Sequence, residues 1–192
     1  MTSRLAPGGR QQTVGIVPDL TTLGKYLGGG MSFGAFGGRS DVMQLFDPRR
    51  PGALPHAGTF NNNVVTMAAG IAGLASVFTP AAAQALNERG ERLRTRLNSL
   101  CRERGARFQF TGIGSLMSAH ATEQPIRNPS DTTSGTPGVK DLFFFDMLGR
   151  GIYMARLGFI ALSLPVGEAE IDRLIEAVRD FLKARRDLVG GD

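Results

Sequence analysis

The stretch TTLGKYLGGGMSFGAFGG, Thr21 to Gly38, decides how the rest of the chain is read. Between Asp19 and Arg39 the only charged side chain is Lys25. Gly24 precedes it, Gly28, Gly29 and Gly30 follow, and Gly34, Gly37 and Gly38 close the run. Glycine at this density serves close backbone approach or conformations that side chains disfavour. PDLTTLGKY reads as a short strand and turn leading to Lys25, and MSFGAFGG as a buried strand. One amine is therefore carried on a turn in apolar surroundings. Lysine can lose its proton when desolvated and act as a nucleophile, whereas arginine cannot. Of the 22 basic residues nineteen are arginine; lysine occurs only at Lys25, Lys140 and Lys183. Lys140 opens one helix and Lys183 sits on another, where both read as surface charges. The competing reading of Lys25 is a loop lysine whose stem lies along apolar surface. On residue chemistry alone that is the simpler one.

Working outward, residues 1–18 show no periodic pattern and read as loop. After the glycine run, Ser40 is expected to cap a short helix, DVMQLF. A Pro/Gly loop spans Asp47 to Gly58. Thr59 to Phe78, TFNNNVVTMAAGIAGLASVF, is apolar on nearly every face in its later part, the mark of a helix buried against a sheet. Its start carries Thr59 and three asparagines, all N-cap types, at a helix end whose amides suit an anion. Ordinary capping explains the same residues. Thr79 and Pro80 then open a long amphipathic helix that runs to about Arg104 and stops at Gly105. Beyond it, RFQFTGIGSLMSAHAT predicts two short strands around Gly112 and Gly114. Residues 123–137 are a polar loop. VKDLFFFDMLGRG predicts a helix with its phenylalanines in the core. IYMARLGFIALSL predicts strand, turn at Gly158, strand. A closing helix places Ile171, Leu174, Ile175, Val178, Phe181 and Leu182 on one face.

The composition narrows the function classes. A hydrophobic content of 42% and a charged content of 20% are ordinary for a globular protein. The net charge of +5 invites a nucleic-acid reading. However, the arginines of NERGERLRTRLNSLCRERG alternate with glutamates at helical spacing, which describes a solvated face. No basic run interleaves with aromatics and no ligand spacing suits a metal, so neither nucleic acid nor metal is expected. No apolar run is long enough to cross a bilayer, and the start of the chain lacks a signal-peptide core, so no membrane partner is expected. A single cysteine, Cys101, excludes an internal disulfide and fits a reducing cytoplasm. It reads as a non-catalytic thiol.

A lysine nucleophile followed by a helix start able to hold phosphate matches the needs of a Schiff-base cofactor that carries a phosphate. At these residues the chain resembles a known family. PDLTTLGKYLGGGMSFGAFGGR is similar to the cofactor-lysine motif of class III aminotransferases, which have the α/β fold type I of pyridoxal-phosphate-dependent transferases. HAGTFNNNVVTMAAG is similar to their phosphate-contacting segment, which that family donates across a dimer interface. The resemblance extends through IYMARLGFIALSLP. Within the family it runs to glutamate-1-semialdehyde 2,1-aminomutase-like proteins and β-amino-acid aminotransferases. It implies that Lys25 forms the Schiff base with pyridoxal 5'-phosphate and later moves the substrate proton as general base. It also implies that Thr59 binds the phosphate of the cofactor held by the other subunit of a homodimer, and that Gly58 lets the backbone approach. Nothing in the motifs gives His56 or His120 a catalytic role; His56 reads as loop and His120 as a strand residue with a local partner.

The same resemblance implies the domain plan. Residues 1–77 would be the C-terminal part of the cofactor-binding large domain, 78–104 a linking helix, and 105–192 a small C-terminal α+β domain. Two departures stand out. MTSRLAPGG resembles an internal stretch that in the family directly follows an Asp-Glu-Val strand, whose aspartate pairs with the pyridine nitrogen. The expectation is a C-terminal portion that works with a complementing N-terminal chain. ARLG, Ala155 to Gly158, stands where the family commonly shows Ala-Arg-Arg-Gly, so Leu157 replaces the second arginine and only Arg156 remains to meet a substrate carboxylate. Three functions follow: transamination between an amino acid and an oxo acid, intramolecular amino transfer of the aminomutase kind, and a non-catalytic fragment that docks on a full-length homologue.

Overall fold

The computed structural model describes residues 3–133 and 135–190. Contacts divide the chain into two compact units, Met1–Gln84 and Ala85–Asp192. The division falls inside the long helix, most of which packs with the second unit.

The first unit begins with a helix, α1 (Gly9–Val14), where the sequence read as loop. Six residues are too few to show a helical period, and Gly15 closes the turn at φ 69°. Strand β1 (Leu20–Gly24) pairs antiparallel with β2 (Gly34–Gly38), in register from Leu20↔Gly38 to Gly24↔Gly34. The expected burial of β2 is not found: its residues are half-buried or exposed. Its glycines still serve close approach at one end, where a Cβ on Gly38 would strike the Asp19 carbonyl. The next helix is α2 (Ser40–Met43). Ser40 is its first residue rather than its cap, and its Oγ accepts from Gln44 Nε2 at 3.3 Å. Helix α3 (Val64–Ala72) continues through a wider π turn, Gly73–Val77. The expected burial of this helix fails too. Val64 is 79% and Ile71 69% exposed; within the helix only Thr66 and Gly70 are buried.

The second unit has a different economy. Thr79 Oγ1 accepts the Ala82 amide at 3.2 Å and caps α4 (Pro80–Glu103), as Thr-Pro predicts. From residue 85 onward α4 buries Leu86, Leu93, Leu97 and Leu100. It ends at Glu103, with Gly105 at φ 58° in the turn just beyond. Strands β3 (Gln109–Ile113) and β4 (Leu116–His120) form the expected hairpin. β5 (Phe159–Ala161) completes a sheet of order β3-β4-β5, with Met117 opposite Ile160. The strand expected before Gly158 is absent. There the chain bonds mainly to itself: Gly158 N donates to Ala155 O at 2.8 Å and Ala155 N to Phe159 O at 3.2 Å, a tight turn whose one tie to β4 is Gly158 O, which accepts the Ala119 amide at 2.9 Å. Helices α5 (Val139–Gly149), α6 (Glu168–Ala184) and α7 (Arg186–Val189) complete the unit. All six apolar residues predicted on the inner face of α6 are buried. Phe143 and Phe181 lie 5.0 Å apart, ring to ring, and Phe108 lies 5.1 Å from Phe143. Asn98 clamps the sheet edge, donating to Phe110 O at 2.9 Å and accepting from Phe110 N at 2.8 Å.

Candidate active site

The glycine run around Lys25 has a mechanical explanation. Directly after β1 the chain makes a 3₁₀ turn, Lys25–Gly28, closed by Gly29 at φ 62°, whose amide donates to Tyr26 O at 2.9 Å. This turn rests on α3 backbone to backbone. A Cβ on Gly29 would overlap the Ala69 peptide, and one on Gly70 would come within 2.5 Å of the Leu27 carbonyl. Only glycine on both sides permits that approach. Tyr26 is fixed on two sides: its hydroxyl bonds Ser3 Oγ at 2.6 Å, and its ring meets Phe78 edge-on at 5.3 Å.

Lys25 itself sits at φ 60°. Among the described residues only one other non-glycine residue, Asn62 at φ 57°, has a positive φ. Such conformations cost roughly 1–3 kcal/mol and gather where a site needs a side chain aimed against local preference. Both fall in the two segments singled out from sequence. The Lys25 side chain is exposed and makes no hydrogen bond or ion pair among the described residues. It borders a small depression of about 90 Å³ with Ser3, Arg4, Thr22 and Tyr26.

The second segment is a turn followed by a capped helix. Asn61 N donates to Gly58 O at 3.0 Å, and a Cβ on Gly58 would meet Asn61 Oδ1 at 2.7 Å. The cap of α3 is Asn63, whose Oδ1 accepts the Thr66 amide at 3.1 Å. Thr59 therefore lies four residues upstream of the cap, exposed, with no partner for its hydroxyl among the described residues. Gly58, Asn62 and Thr66 line a wide cleft of about 1430 Å³ together with Phe36, Phe46 and His56. His56 packs edge-on to Phe36 at 5.2 Å, which pins the loop that leads to Gly58.

Lys25 and Gly58 thus border different depressions of one unit. Arg156 belongs to the other unit, in the turn before β5. Its guanidinium holds Asp141 through two bonds of 2.8 and 3.1 Å and lies 5.6 Å over the Phe145 ring. That pairing raises the guanidinium above, and holds the Asp141 carboxyl below, their ordinary ranges. The residue that sequence reading passed over is Asn62. Its signal was present, since asparagine is the side chain that best tolerates a left-handed backbone.

The family model described as Aminotransferase class-III matches residues 10–182, and the chain belongs to that family. It is 58% identical over 182 residues to the β-phenylalanine transaminase of Variovorax paradoxus, covering 95% of this chain and 42% of that one. The crystal structure of the β-phenylalanine aminotransferase from the same organism superposes with a TM-score of 0.93 at 56% identity, over 99% of this chain and 44% of that one. A glutamate-1-semialdehyde 2,1-aminomutase of Akkermansia muciniphila is 38% identical over 180 residues, 92% of this chain and 41% of that one. A solved transaminase with pyridoxal phosphate bound superposes at TM-score 0.81 and 32% identity, over 95% of this chain and 42% of that one. The fold is accordingly part of the fold type I architecture, and the chain spans about two-fifths of the length of the curated relatives it matches. No single helix among the described residues is long and apolar enough to cross a membrane.

Proposed function

We propose that this chain carries the cofactor lysine and the phosphate-contacting segment of a pyridoxal-phosphate-dependent aminotransferase, which exchanges an amino group between an amino acid and an oxo acid. The observation that carries this is Lys25: the one lysine of its unit, held at φ 60° on a turn locked to α3 by glycine, its amine exposed and unpaired among the described residues.

The donor set fits the group. An aldehyde requires a primary amine that is not already held in a salt bridge, and Lys25 offers one. A phosphate requires hydroxyl and amide donors near a helix start, and Thr59 with the turn before α3 offers these. Gly58 keeps that approach open. When bound, pyridoxal phosphate supplies an electron sink for charge developing on the substrate carbon. The remaining work falls to this chain. Lys25 Nζ would hold the cofactor covalently and, once released by the incoming amino group, act as the base that carries a proton to or from the substrate carbon. The strained backbone at Lys25 would fix the line along which that proton moves. Thr59 would donate its hydroxyl to a phosphate oxygen. Because Lys25 and Gly58, the neighbour of Thr59, border separate depressions, a homodimer in which Thr59 serves the partner's site accounts for both, as would a complementing chain. Arg156 would meet a substrate carboxylate only by leaving Asp141.

The test is reductive trapping. The chain is incubated with pyridoxal phosphate, reduced with borohydride and mapped by mass spectrometry. The label is expected on Lys25 and lost in Lys25→Ala; equal labelling of all three lysines would sink the reading. The 38% identical aminomutase favours a second reading, intramolecular amino transfer. Turnover of an amino donor with a separate oxo acceptor distinguishes the two. Co-purification with a full-length homologue, without turnover by the chain, would single out the docking-fragment reading.

A further inference from the structure

Away from Lys25 the molecule holds a second lysine in unusual company. Lys140 is the second residue of α5, and its Nζ lies 3.3 Å from His120 Nδ1. The other ring nitrogen, Nε2, lies 2.9 Å from Thr111 Oγ1 on the neighbouring strand. His120 is 4% exposed. An amine, a buried imidazole in hydrogen-bond reach of it, and a hydroxyl that orients the imidazole form the pattern of an activated nucleophile.

We propose that Lys140 is an acyl-acceptor site: an amine assisted by His120 that acyl phosphates modify in preference to the exposed Lys183. A lysine ammonium has only donors, so the ring proton is placed on Nε2. With the proton on Nε2 donated to Thr111, the Nδ1 lone pair faces Lys140 and accepts from its N–H. In the transfer step the Nζ lone pair forms the new C–N bond at the acyl carbon. The C–O bond to phosphate breaks and its electron pair leaves with the phosphate. The amine proton leaves with the departing phosphate, while the contact to Nδ1 keeps the amine oriented.

Two further features favour the free amine at this place. Burial draws the Lys140 ammonium below its ordinary range, and it holds the His120 ring neutral, down to about 4. Lys140 also sits in the first turn of its helix, where the macrodipole opposes a cation, whereas Lys183 sits in the last turn of α6, where the dipole favours one. Among the described residues no carboxylate bonds to or pairs with the Lys140 amine. Asp141 is committed to Arg156, and Asp131 accepts the amides of Arg127 and Asn128 at 2.7 and 3.1 Å. Glu123 is exposed, and β3 contributes only uncharged side chains, Gln109 opposite His120 and Thr111.

The experiment treats the intact chain with limiting acetyl phosphate across pH 7 to 10 and maps acetylation at the three lysines over time. Lys140 is expected to react on the order of tenfold faster than Lys183 near neutral pH, still short of the hundredfold or more that positioned bases reach in evolved sites. The ratio should fall toward one as the pH passes the ordinary lysine range. A ratio of one or less at every pH overturns the proposal. His120→Asn should reduce the ratio to near one, and an unchanged ratio would equally overturn it. Should that variant fail to fold, Thr111→Val decides: losing the orienting hydroxyl should lower the ratio several-fold, and no change removes His120 from the account. Lys25 is read separately in the same maps, so the outcome at Lys140 stands apart from that at the cofactor lysine.

Discussion

Helices α3 and α6 make the most instructive pair in the molecule. Both are rich in apolar residues. On α6 every residue of the predicted inner face is buried, while on α3 Val64, Val65, Ile71 and Met67 are all exposed. The contrast extends to the two units. Among the described residues every buried apolar side chain except Ala83 lies in residues 85–190. The second unit owns a core. The first is held by backbone approach at Gly29 and Gly70, by a two-stranded ribbon and by a few polar pins such as Tyr26 to Ser3. Stability and chemistry are thus allotted to different parts of the chain: the candidate cofactor residues sit on the unit that buries least.

The sharpest test of that contrast is the centre of the second unit. Phe143 is fully buried between Phe108 and Phe181. Phe143→Ala should cost about 3–5 kcal/mol in a urea titration, through lost burial and the cavity it leaves. A loss under about 1 kcal/mol would mean that the unit has no consolidated core.

A smaller effect should come from His120. Its folded-state value of about 4 lies below its ordinary 6.5, so between these values the unfolded chain binds a proton that the folded chain refuses. Stability from this group is therefore complete above pH 6.5 and lost as the pH falls toward 4, by roughly 2–3 kcal/mol at most. The carboxylates also titrate near the lower end, so the measurement is the difference in unfolding free energy between the wild type and His120→Asn across that window. A difference independent of pH would show that the ring is solvated in solution.

What sequence could reveal follows the same division. The second unit was legible because it satisfies itself: the α6 period, the Thr79-Pro80 start, the Gly105 stop and the hairpin about Gly114 are all local signals. Even there FFF misled in part. Phe143 is core but Phe145 is 53% exposed, since three adjacent residues cannot share one helix face. In the first unit, β2 and α3 read as buried because apolar composition looks the same whether or not the chain itself covers the face. Lys25 was found as the single charge among glycines, but its positive φ was not readable, because lysine gives no hint of that backbone. Asn62 gives the hint, but the run of three asparagines reads equally as a cap, a role that Asn63 fills.

The smallest expected effect is the one that bears hardest on the comparison. Ile71 is as apolar as anything on α6, but at 69% exposure it has little area to return to water on unfolding. Burial stabilises only in proportion to area removed from solvent. Ile71→Ser should therefore shift the unfolding free energy of the dilute chain by no more than about 0.5 kcal/mol, the range of an ordinary surface change. A loss well above that, growing with protein concentration, would have one physical source. Ile71 would be covered in solution by a second copy, and the stability of the first unit would then be a property of the assembly and not of the chain.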